Sequence, residues 1–125
     1  MENSANAILA VAHNLFEALV FLSIGTRESY LGAFGAKDAN NPMQLSKDAG
    51  LGNPKTKSLS DNVRGAAQTF RDKFSNSKGN LYNALVNYNG AAGIKEQYGK
   101  DVLAGYTDLS NSLESSTNLG ESWPW

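Results

Sequence analysis

Glu28 is the side chain best placed for chemistry. It stands where an apolar helical stretch, residues 15–24, runs out, and Ser29 and Tyr30 follow at once. A carboxyl group at the edge of an apolar segment loses hydration when it ionises. That raises its pKa and equips it to donate a proton near neutral pH. Rivals are few. The chain has no cysteine and one histidine, so thiol chemistry is absent and an imidazole relay would rest on His13 alone. The same scarcity, with no clustered carboxylates, argues against a metal site, and no cofactor is expected.

A chain of 125 residues is one domain by size and can bury a core without disulfides or metal. Hydrophobic residues at 41% and charged residues at 18% are ordinary for a soluble globular chain. The net charge of −1, with no lysine or arginine block, excludes a nucleic-acid groove or an anionic membrane surface as an expected partner. The longest apolar run, residues 15–24, is about half of what a membrane span needs, and it contains Glu17. The first residues lack the basic start of a secretory signal, and no small-residue cleavage site is placed to serve one. The expectation is a chain that leaves the cell by another route, or a segment of a larger protein.

Helical periodicity predicts a helix over residues 5–13, with Ser4 as a cap, a break at His13 and Asn14, and a central helix over residues 15–27. Residues 32–41 read as a loop, 47–49 as a short helix, and 52–58 as a polar loop. Ser60 or Asp61 is expected to cap a strongly amphipathic helix reaching residue 74, with Val63, Ala66, Ala67, Phe70 and Phe74 inward. Further helices are expected over 80–88, 92–98 and 101–113. Residues 110–122 hold five serines, two asparagines and a threonine, and read as a frayed tail. No segment sustains period-two alternation. The fold class is therefore all-α, or α+β with minimal strand, divided into a domain over residues 1–109 and a polar C-terminal tail over 110–125.

Four motifs stand in order along this chain. They are Glu28-Ser29 at the end of the apolar helix, then Asn41-Pro42-Met43-Gln44-Leu45, then Asn62-Val63 followed by Gly65, and then a segment from Ala84-Leu85 to Tyr88-Asn89-Gly90. In order and spacing, over about residues 8 to 106, they resemble the lytic transglycosylase family, the SLT-type domain whose fold is shared with goose-type lysozymes. The resemblance implies a lysozyme-like domain of about six to eight helices with a substrate groove. It implies that Glu28 is the catalytic acid and base. It implies that Ser29 supports the catalytic region, that Met43 and Gln44 line the sugar side of the groove, that the Tyr88 hydroxyl reaches the catalytic carboxyl, and that Asn89 is a polar contact in the same groove. Three positions depart from the family pattern: Asn41-Pro42 replaces Gly-Leu, and Asn87 replaces a commoner small residue. Proline has no N–H and fixes φ, so a hydrogen bond or a close approach is expected to be lost at that turn. The stretch from Glu28 to Gln44 is also a little shorter than the family usually has.

The implied activity is cleavage of the peptidoglycan glycan strand between N-acetylmuramic acid and N-acetylglucosamine, with formation of a 1,6-anhydro end. Glycosidic cleavage needs a proton delivered to the leaving oxygen, and most glycosidases add a second carboxylate. No second carboxylate stands in a matching motif here; Asp38 and Asp48 lie near the turn without one. A single acid fits substrate assistance by the sugar's N-acetyl group. The alternatives are a muramidase that hydrolyses the same bond and an inactive glycan-binding or assembly module. The implied place of action is the cell wall, periplasmic or secreted, as part of a larger secretion, phage or cell-wall assembly.

By spacing alone, Tyr88 reads at least as well as core, Met43 reads more as core than as a ligand contact, Gln44 as surface, and His13 as a helix end or turn. The terminal Trp123-Pro124-Trp125 has three open readings: it folds back onto the domain, binds a partner, or marks where a longer chain was cut.

Overall fold

The computed structural model describes residues 4–29, 40–44, 52–89 and 95–117, with the side chains at 28, 29, 89, 95 and 115–117 outside the description. Among the described residues five α-helices make the fold: α1 (Ser4–Val11), α2 (Leu15–Ser29), α3 (Leu59–Asn76), α4 (Leu81–Asn89) and α5 (Lys95–Thr117), with a 3₁₀ turn at Pro54–Thr56. No strand occurs among the described residues, so the fold is all-α.

Three of the helix starts have a local cause in a capping side chain. Asn14 breaks α1 from α2 and caps α2, its Oδ1 accepting the Glu17 N–H at 2.9 Å. Glu17 in turn accepts the His13 N–H at 2.8 Å, satisfying a donor just before the cap. Ser58 caps α3 through the Asp61 N–H at 3.1 Å, two residues earlier than Ser60. The earlier start follows from Leu59, which is buried and so belongs to the helix's apolar face. Asn80 caps α4 through the Asn83 N–H at 3.0 Å.

The core is built where these apolar faces meet. Val20, Phe21 and Ile24 of α2, Val63, Ala66, Ala67 and Phe70 of α3, Leu85 of α4, and Tyr98 and Val102 of α5 are buried together. Phe21 meets Phe70 edge-on at 5.6 Å, and Phe16 meets Phe74 at 5.3 Å and Tyr106 at 5.8 Å. Helix α2 packs against α1 and α5, and α4 against α3 and α5. One charged pair closes the seam between α1, α2 and α3. Arg71 donates to both Glu17 oxygens (3.0 and 2.8 Å) and to the Val11 carbonyl (2.6 Å), satisfying the end of α1. The Arg71 guanidinium beside Glu17 is the main reason its carboxyl is held below its ordinary pKa.

Among the described residues the helix count, five, is smaller than the six to eight expected. Residues 92–98 and 101–113 were expected as separate helices, but from Lys95 onward they form one helix, α5, that passes through both Gly99 and Gly105. Packing explains this. A Cβ on Gly99 would come within 2.9 Å of Val86 Cγ2 and 3.2 Å of Tyr82 Cε1, so the missing side chain is what lets α5 lie against α4. Tertiary contact outweighs the glycine's low helix propensity. The serine-rich segment is helical through Thr117 and not frayed from residue 110, so the helix runs across the expected boundary between domain and tail. The short helix expected at 47–49 lies outside the described residues.

Candidate functional site

Glu28 and Ser29 occupy the last turn of α2, with their side chains outside the described residues. What the structure does describe is how that turn is held. Arg27, next in the chain, donates from Nε to Asp101 at 3.0 Å and lies 5.7 Å over the Tyr98 ring. Asp101 is kept below its ordinary pKa by the hydrogen bond from Gln97 and then by Arg27, so the cation beside Glu28 faces an ionised partner. Tyr98 is buried and stacks on Tyr88, ring centroids 6.4 Å apart and planes 15° from parallel.

The other edge of the site is the turn at residues 40–44. Gln44 N donates to Asn41 O at 3.0 Å, closing a four-residue β-turn. Pro42 stands at its second position, where proline's fixed φ suits the turn and no N–H is needed. The departure from Gly-Leu thus leaves the turn's own hydrogen bond in place. Gln44 sits at φ +53°, the left-handed region that costs a residue with a Cβ about 1 kcal/mol. Its side-chain Nε2 adds a second bond to Asn41 O, at 3.1 Å.

Two side chains from the helices grip this turn. The Tyr88 hydroxyl donates to Met43 O at 2.8 Å. Asn62, fully buried on α3, donates from Nδ2 to Asn40 O and to Pro54 O, each at 2.9 Å, tying the turn to the 3₁₀ segment.

These contacts set where the expected site residues stand. Met43 is fully buried: its side chain packs in the core beneath the site, and its carbonyl faces Tyr88. Gln44 is exposed. Tyr88 is partly buried between the core and the turn. Asn89 is the last residue of α4, with its side chain outside the described residues, as is Leu45. The contacts run without a gap from Arg27 through Tyr98 and Tyr88 to Met43, bringing the end of α2, the end of α4 and the turn to one place.

Sequence reasoning did not assign Arg27, Tyr98 or Asn62 to the site. Asn62 had a signal, being quoted within the third motif. Arg27 and Tyr98 had none, because their pairing joins positions far apart in the chain. Compared with known protein families, with curated proteins and with solved structures, the chain matches none.

Proposed function

We propose that this chain is a lysozyme-like lytic transglycosylase that cleaves the peptidoglycan strand between N-acetylmuramic acid and N-acetylglucosamine. The observation that carries the reading is the run of contacts from Arg27 through Tyr98 and Tyr88 to Met43. Two of the four motifs that carry the family resemblance, the turn and the Tyr88 segment, meet in it, and it reaches α2 at Arg27, the residue before the Glu28-Ser29 motif. The fourth motif supports it, since Asn62 anchors the same turn from beneath.

In this reading Glu28, neutral at the start, gives its proton to the glycosidic oxygen as the bond to the muramic C1 breaks. The carbonyl oxygen of the sugar's own N-acetyl group stabilises the positive centre, the role a second carboxylate plays in most glycosidases. Glu28, now ionised, takes the proton from the muramic C6 hydroxyl, whose oxygen closes onto C1. The product is a 1,6-anhydro ring, and no water is consumed. Gln44, on the exposed face of the turn, contributes polar contact to the glycan, with Asn89 and Ser29 at the neighbouring helix ends. Met43 contributes from below, as core packing.

The test is product analysis. Purified protein acting on peptidoglycan should release anhydro-ended fragments, and Glu28→Gln should lower that rate by about 10²-fold or more with the helical fold retained. Fragments with reducing ends would replace transglycosylation by hydrolysis. Equal inertness of wild type and Glu28→Gln, with glycan still bound, would leave a binding module.

A further inference from the structure

Both tryptophans of the chain stand in its last three residues, Trp123 and Trp125 around Pro124. The glycan site makes no use of them. Among the described residues, one surface has the chemistry to receive them. A groove of about 490 Å³ runs between α1, α2 and the distal half of α5, and its walls include Leu9, Leu15, Leu22, Leu109 and Leu113. Leu9 is 48% exposed, the only large hydrophobic among the described residues to stand so open. Its polar lining is His13, Asn14 and Ser112, and His13 faces Glu17, outside the lining, at 3.7 Å.

We propose that this groove is the docking site of segment 123–125 of the same chain. Reach permits it. Leu113 lies one turn before Thr117, about 6 Å back along the axis of α5. Trp123 lies six residues beyond Thr117, which spans up to about 20 Å of extended chain. Gly120 supplies the turn chemistry that a reversal needs. The chemistry matches too. Each indole brings about 150–250 Å² of surface that gains from leaving water, and leucine walls provide the apolar contact. Docking would hold the distal half of α5 down on α1 and α2 and cover Leu9. The inference is independent of the glycan reading.

The two indoles make their own probe, since no other tryptophan contributes to the emission. Selectively excited emission of the full chain should be blue-shifted from that of N-acetyltryptophanamide in the same buffer, and should stay so on strong dilution. Leu9→Gln and Leu113→Gln should each move it toward the free-indole value with the far-ultraviolet circular dichroism unchanged. If Leu113→Gln lowers the helical signal, Leu9→Gln decides alone, because half of Leu9 is already in water. Wild-type emission at the free-indole value overturns the proposal, as does a blue shift that ignores both substitutions. A blue shift lost on dilution also overturns it, by giving the groove to a second copy's terminus.

Discussion

Asn62→Ala tests how the turn at residues 40–44 is held. Asn62 is fully buried, and its Nδ2 donates to two carbonyls, Asn40 O and Pro54 O, each at 2.9 Å. Removing it leaves both without that donor. The Pro54 bond is buried, so its loss costs about 1–3 kcal/mol, while the partly buried Asn40 carbonyl is open to water and costs about 1 kcal/mol. One term acts the other way. Asn62 Oδ1 is itself buried with no hydrogen-bond partner among the described residues, and deleting it returns about 1 kcal/mol. The sum is a loss of about 2 kcal/mol, a fall in Tm of roughly 6–10 °C for a domain of this size. Urea unfolding followed by circular dichroism measures it. Asn62→Asp sharpens the test at nearly constant volume. Its carboxyl would sit fully buried and face two carbonyl oxygens, which raises its pKa when folded. A raised folded pKa means stability present at low pH and lost as pH rises, so Asn62→Asp should gain on wild type with acidification. An Asn62→Ala protein within about 0.5 kcal/mol of wild type, or an Asn62→Asp protein that keeps a constant gap from wild type across pH, would refute the argument.

Tyr88→Phe removes the bond to Met43 O and keeps the stack on Tyr98, so stability should fall by only about 1 kcal/mol in denaturant titration. In the transglycosylase reading, anhydro-product formation by Tyr88→Phe should fall by much more than that loss explains. Glu17 is only 12% exposed and held below its ordinary pKa by Arg71, so it adds stability above about pH 4.5 that is lost as pH falls through its folded pKa. Glu17→Gln should therefore cost about 1–2 kcal/mol at pH 7, with the gap to wild type closing in acid; a gap independent of pH would refute the role of the ion pair. Gly99→Ala sets about 1 kcal/mol of helix propensity against an overpacking cost of about 1–3 kcal/mol, and should destabilise. Gly105→Ala, where the nearest atom to a new Cβ is Ser23 Oγ at 3.3 Å, should be nearer neutral, and the order of the two variants in urea midpoints checks the close approach at Gly99.

What could be read from the chain follows from where the determining contacts lie. The inward face of α3 was legible because Val63, Ala66, Ala67 and Phe70 repeat at helical spacing, and a helix of that amphipathicity has one side to bury. The unity of α5 was not, because Gly99 reads as a breaker until α4 is placed against it. The site divides the same way. Glu28, Gln44 and Tyr88 were picked out by residue type and order. Arg27, Tyr98 and Asn62 became visible only when helices far apart in sequence were brought together.

Pro42 shows the limit from the other side. Its missing N–H suggested a weakened turn, yet the bonds that grip the turn end on carbonyls: Asn40 O from Asn62, Asn41 O from Gln44, and Met43 O from Tyr88. A proline at position 42 removes none of them, and its buried ring adds apolar contact. In the transglycosylase reading, Asn41-Pro42 in place of Gly-Leu bears on the shape offered to the glycan and leaves intact the attachment that keeps the turn beside the end of α2. In that reading, an Asn41→Gly, Pro42→Leu protein should keep the Tyr88 and Asn62 anchors and differ from wild type in glycan affinity more than in the unfolding midpoint. Isothermal titration with peptidoglycan fragments, set beside urea unfolding, separates the two effects. A double variant whose midpoint collapses would show that the turn depends on the proline after all.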